Sequence, residues 1–187
     1  MKTISSDWTA NLPDEQARAQ ARLVQEARTK AITYLGLARK PSGQVARRLA
    51  ELGYEQDTIQ RVLADLQADG YLDDLRLAQR IVCQRRAGRQ IESRAALRRR
   101  LVGKGLAEQA IDEALAANID DRQAAVSLLQ SRFTNDWPTQ DRRQMLKMAR
   151  FLAGRGFSSE IVSQLLFSRY EEADMSDQVD GGYDGSI

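Results

Sequence analysis

The chain has 187 residues, of which 42% are apolar and 29% charged, with a formal net charge of +2, no histidine and a single cysteine. That balance suits a soluble globular protein, and no apolar run is long enough to span a bilayer. An internal disulfide and a zinc centre are excluded, and the commonest general base is missing.

Taken in chain order, residues 1–26 read as a polar tail and then, from Pro13, a helical extension rich in alanine and charge that can run on into the first module. Module one, 27–72, begins with a helix patterned by Ile32, Leu35 and Leu37 and broken at Lys40, Pro41, Ser42 and Gly43. A short second helix ends at Gly53. A third, with Ile59, Val62, Leu63 and Leu66 on one face, stops at Gly70. Module two, 73–119, opens on Asp73 or Asp74 as N-cap, carries Leu77, Ala78, Ile81 and Val82 at helical spacing to Gly88, and restarts with Ser93 as cap of a helix holding Leu97 and Leu101. Its third helix runs through Ile111 and Leu115. Module three, 120–170, starts at Asp120 or Asp121, breaks at Asn135, Trp137 and Pro138, and continues through Met145, Met148, Phe151 and Leu152 to a last helix with Ile161, Val162, Leu165 and Leu166. Residues 171–187 contain Glu171, Glu172, Asp174, Asp177, Asp180 and Asp184 with no basic residue, the composition of a disordered acidic tail.

One turn is written three times: Leu49, Gly53 and Tyr54; Leu101, Gly105 and Leu106; Leu152, Gly156 and Phe157, with glycines spaced by 52 and then 51 residues. A glycine in the left-handed position just past a helix end lets the next apolar residue pack back on the leucine. The same residue can staple to Ile59, Ile111 or Val162 five positions on, in the next helix. Of the three helix starts beyond these turns only Ser158 is a good N-cap; Glu55 and Ala107 are not. A triplicated module of roughly 50 residues would be marginal alone and shares interfaces with its neighbours.

Charge is uneven. Between Arg76 and Lys104 lie Arg76, Arg80, Arg85, Arg86, Arg89, Arg94, Arg98, Arg99, Arg100 and Lys104, opposed only by Glu92. Acidic partners at i+3 or i+4 are nearly absent, so intrahelical ion pairs do not explain the run, and arginine forks suit phosphate or carboxylate partners. The acidic tail could fold onto this basic middle and compete with such a partner. Catalytic groups are missing: Gly103 and Lys104 lack the rest of a P-loop, and the pairs Asp73–Asp74 and Asp120–Asp121 sit where helix capping accounts for them. No metal site, cofactor or catalytic residue is expected. Cys83, beside Ile81 and Val82, reads as a packed thiol, and Trp137 as a loop anchor in preference to a base-stacking ring.

The residues from Gly70 to Leu115 resemble the RecX family of regulators of the RecA recombinase: Gly70, Tyr71, Leu72, Asp73 and Asp74; Arg76 and Ala78; Arg85 and Arg86 before Gly88; Leu97; Lys104 and Gly105; Ile111, Ala114 and Leu115. Phe151, Leu152, Arg155, Gly156 and Phe157 are similar to the family's closing motif. Leu37, Ala38 and Lys40 stand where charged residues are common in the family, and Leu77 replaces a usual aromatic. The resemblance, over about 27–170, implies an all-α chain of three tandem three-helix units in an elongated, curved array with an additional N-terminal helix. It also implies a non-enzymatic regulator that binds the RecA filament on single-stranded DNA and inhibits its ATPase, strand exchange and extension, in DNA repair, recombination and the SOS response. Arg76, Arg80, Arg85, Arg86, Arg89, Arg94, Arg98, Arg99 and Lys104 are the candidate contacts with acidic filament surface or DNA phosphate. Reversing charge at Arg85, Arg86 and Arg89 should abolish modulation while helicity stays. Direct contact with single-stranded DNA is left open; a monomer in the cytoplasm is expected, with no membrane partner. The alternative is a helix-turn-helix-like protein that binds nucleic acid without a recombinase.

Overall fold

A computed structural model describes residues 12–86, 90–116 and 120–167, and all regular structure among them is helical apart from turns. The helices are α1 (Leu12–Leu35), α2 (Ser42–Glu51), α3 (Gln56–Ala68), α4 (Asp74–Arg86), α5 (Arg94–Lys104), α6 (Glu108–Ala116), α7 (Asp121–Arg132), α8 (Arg142–Gly154) and α9 (Ser159–Leu166). The acidic tail, Gly88 and Arg89 lie outside the described residues. The N-terminal extension is not a separate helix. It runs without a break into the first helix of module one, because no glycine or proline interrupts the chain between Asp14 and Leu35.

Two compact units divide the chain. One takes residues up to Leu77 together with Val102–Ile111; the other takes Ala78–Leu101 and the chain from Asp112 onward. The first unit has a core of Ala27, Ala31, Leu35, Val45, Leu49, Ile59, Val62, Leu66 and Leu72, contributed by α1, α2, α3 and the segment after α3. The second is centred on Ala125, Leu128, Leu129, Met148, Leu152, Phe157 and Val162, where α7, α8 and α9 meet. Trp137 packs against that second core, as a loop anchor does.

The repeated turn is a Schellman cap. Gly53, Gly105 and Gly156 have φ of 87, 83 and 86°, the left-handed region that glycine enters without a Cβ clash. In the first copy the Gly53 N–H donates to Ala50 O at 3.0 Å and the Tyr54 N–H to Leu49 O at 3.2 Å; in the third, Gly156 donates to Ala153 O at 2.9 Å and Phe157 to Leu152 O at 3.2 Å. Those pairs are the 5→2 and 6→1 bonds that satisfy the last carbonyls of a helix. Ser158 caps α9, its Oγ accepting from the Ile161 N–H at 3.3 Å, whereas Glu55 makes no side-chain cap bond.

Candidate partner-binding surface

The two aspartate pairs each divide their labour. The first member caps its own helix: Asp73 Oδ1 accepts from the Arg76 N–H at 2.8 Å, and Asp120 Oδ1 from Arg122 and Gln123 at 2.8 and 3.2 Å. The second reaches back to the preceding module. In the first unit Asp74, 5% exposed, accepts from the Ser42 N–H (2.9 Å), the Ser42 hydroxyl (2.6 Å) and the Ala107 N–H (2.7 Å). It thereby satisfies open N–H groups at the starts of α2 and α6 with one buried carboxylate. In the second unit Asp121 Oδ1 accepts from the Arg94 N–H at 2.8 Å, so the start of α5 is capped as the start of α2 is.

Glycine ends complete both joints. Gly43 donates its N–H to Gly105 O at 2.9 Å, and a Cβ at Gly43 would stand 2.6 Å from that oxygen. In the second unit the Ser93 N–H donates to Arg155 O (3.1 Å) and its hydroxyl to Gly156 O (2.6 Å), while its Oγ accepts from the Ala96 N–H at 3.1 Å.

The basic run on these helices separates into engaged and open cations. Glu92 is buried and receives Arg100 in two-point fashion, Nε at 2.9 Å and Nη2 at 2.6 Å, with Arg85 Nη1 at 3.6 Å. Arg98 pairs with Asp112. Arg86 turns inward: its Nη2 lies 3.5 Å from Asp121 Oδ1, and Nε and Nη2 are buried with no hydrogen-bond partner, beside a cavity of about 180 Å³ lined by Ile91, Asp120, Gln123, Ala124 and Ser127. Burial pushes the Arg86 guanidinium below its ordinary pKa, opposed by Asp121 and Asp120. Arg76, Arg80, Arg94, Arg99 and Lys104 have no acidic partner among the described residues; Arg76 and Lys104 belong to the first unit and Arg80, Arg94 and Arg99 to the second. All five are exposed.

Cys83 is exposed, contrary to the packed thiol expected. Ala78 and Val82 take the buried positions of α4, four residues apart, and put Cys83 on the outer face with Arg80. A second basic helix is not singled out by the sequence pattern. In α8 the residues Arg142, Arg143, Lys147 and Arg150 are exposed, and the helix contains no acidic residue.

The Arg100 and Arg85 cations hold the Glu92 carboxyl below the usual carboxylate range: the Arg100 hydrogen bond is the main cause, burial opposes it, and the charges of Arg100, Arg85 and Arg155 add to the lowering. A carboxyl whose pKa is depressed on folding contributes stability above its unfolded pKa of about 4.3 and loses it as pH falls through the folded value. Glu92→Gln should therefore cost about 1.5 kcal/mol at pH 7, the difference from wild type closing as pH is lowered from about 5 to 3. Urea unfolding at a series of pH values reads this directly; a gap unchanged down to pH 3 would show that the ion pair is not what the carboxylate contributes.

Tandem three-helix units, joined by shared caps and presenting arginine-rich helix faces, define a helical-repeat protein. No helix among the described residues is long and apolar enough to cross a membrane. Residues 27–66 match the model of the RecX first three-helix domain and residues 120–166 that of the RecX third three-helix domain. A regulatory protein RecX of Leptothrix cholodnii is 36% identical over 138 residues, covering 73% of this chain and 85% of the relative, and one of Mycobacterium ulcerans is 30% identical over 148 residues, covering 77% and 84%. The crystal structure of RecX from Lactobacillus salivarius superposes with a TM-score of 0.59 at 21% identity, over 83% of this chain and 99% of that one, and so shares the fold. The chain belongs to the RecX family of regulatory proteins.

Proposed function

We propose that this protein modulates the RecA recombinase without chemistry of its own. As a monomer in the cytoplasm it binds the filament that RecA forms on single-stranded DNA, favours one arrangement of it, and so slows ATP hydrolysis, strand exchange and extension. The observation that carries the reading, beside family membership, is the set of exposed cations without acidic partners on α4 and α5: Arg76, Arg80, Arg94, Arg99 and Lys104. Arg94, open at the first position of α5, faces the positive end of the helix dipole, which local helix physics does not reward. An anionic partner supplies the missing compensation.

Charge also speaks against the duplex-binding alternative. A helix-turn-helix protein lays the last helix of its unit in the major groove. Here those helices expose acid: Glu55, Asp57 and Asp65 at and along α3, Glu108, Asp112 and Glu113 on α6, and Glu160 on α9. The basic residues concentrate one helix earlier, on α5 and α8.

The test pairs two titrations. ATP turnover by preformed RecA filaments on single-stranded DNA should fall when this protein is added far below the DNA concentration, while binding to the same DNA without recombinase stays too weak to account for the loss. No effect on turnover refutes the proposal, and inhibition that simply tracks occupancy of bare DNA would move the reading to a nucleic-acid binder.

A further inference from the structure

We infer that the exposed basic face of α8 is the docking site of the chain's own acidic segment, residues 171–184. On α8 the cations Arg142, Arg143, Lys147 and Arg150 recur at i, i+1, i+5 and i+8, all exposed and none with an acidic partner among the described residues. Lys147 Nζ stands over the Phe133 ring at 5.9 Å, a weak cation–π contact that brings no negative charge to it. Arg142 and Arg143 occupy the first turn, the wrong end of the helix for a cation, and Arg143, Lys147 and Arg150 repel at i+4 and i+3. Leu146 lies among them, 43% exposed. The surface is therefore positive with an apolar centre, and nothing on its own helix relieves it.

The segment 171–184 is its complement in charge. Glu171, Glu172, Asp174, Asp177, Asp180 and Asp184 come with no lysine or arginine, and Met175 and Val179 fall between the aspartates, where they can meet Leu146. Its reach is sufficient. Phe167 caps α9, which packs on α8 in the same unit. Asp174 is seven residues further, about 23 Å of extended chain, against about 20 Å for the whole length of α8. Tethering makes this encounter intramolecular, so weak contacts suffice. The basic middle is the poorer seat: in the second unit Arg98 is held by Asp112 and Arg100 and Arg85 by Glu92, and its open cations Arg80, Arg94 and Arg99 are divided between two helices, whereas α8 has all four cations open on one. An external polyanion that uses α8 must displace the segment; that consequence rests on the function proposed above, while the docking does not.

Zero-length carbodiimide coupling of the full-length monomer, read by peptide mass spectrometry, tests it without recombinase or DNA. The lysines are only Lys2, Lys30, Lys40, Lys104 and Lys147, so each product names its lysine, with Lys104 on α5 and Lys147 on α8. Lys147 should couple to Asp174, Asp177 or Asp180. The yield should drop about tenfold in 1 M salt, where the screening length is about 3 Å. It should drop comparably in the triple variant Arg142→Gln, Arg143→Gln, Arg150→Gln, which keeps the reacting amine. Coupling of the acidic segment to Lys104 in place of Lys147 would seat it on α5. That outcome, an undiminished yield in the triple variant, or no product from 171–184 overturns the inference. Far-UV circular dichroism checks that the variant stays helical, and the wild-type pattern decides the question even if it does not.

Discussion

Asp74→Ala is expected to lower stability by about 3 kcal/mol and the Tm by about 6–12 °C, the largest effect of any single polar side chain in the first unit. The carboxylate is buried and receives two backbone N–H groups and a hydroxyl, from Ser42 and Ala107. Alanine removes one acceptor that three donors share, so the cost is that of several lost hydrogen bonds to a charged group and not of one. Asp74→Asn keeps one carbonyl oxygen and should recover about half of the loss. Asp121→Ala, whose side chain is 23% exposed, loses both the cap on the Arg94 N–H and the charge partner of Arg86, and should cost about 2 kcal/mol by comparison. Thermal and urea unfolding of the three variants give the order directly. If Asp74→Ala unfolds within about 0.5 kcal/mol of wild type, the shared cap does not hold the first unit together.

The same carboxylate marks the limit of what the sequence discloses. Leu49, Gly53 and Tyr54 and their two copies announce a Schellman cap because that motif is local, and each glycine has the positive φ, with the 6→1 bond formed in the first and third copies. The N-caps Ser93 and Ser158 are legible for the same reason. Asp73 and Asp74 can be read only as one cap with a choice of residue, since the partners of Asp74 are 32 and 33 residues away. Ala107 looks uncapped from its neighbours and is capped from α4. The basic run misleads in a related way. Counting acids at i+3 and i+4 leaves Arg86 and Arg98 unpaired, yet Asp121 and Asp112 reach them across the fold. Cys83 reads as packed because Ile81 and Val82 suggest a buried stretch, while the helical period buries only Val82 of the three. On α8 four cations spread over nine residues are less conspicuous than the denser run before them.

Those engaged arginines change which variant tests the function. Reversing Arg85 and Arg86 would set like charges against the buried Glu92 and against Asp121, so lost modulation could report lost structure. The combination Arg80→Glu, Arg94→Glu, Arg99→Glu touches no ion pair among the described residues, and its helicity and Tm should stay close to wild type. Each reversal should cost about 1 kcal/mol, lost attraction and added repulsion together, so the three should weaken filament binding by on the order of 3 kcal/mol, roughly a hundredfold in the concentration that halves ATP turnover. The loss should shrink as salt rises, because exposed charges are screened beyond about 8 Å at physiological ionic strength. Cys83, the sole thiol, sits on α4 three residues beyond Arg80 and supplies a second readout. Its alkylation should slow when wild-type protein meets the filament and should not slow for the triple variant. Undiminished inhibition by a folded triple variant would remove α4 and α5 from the contact surface.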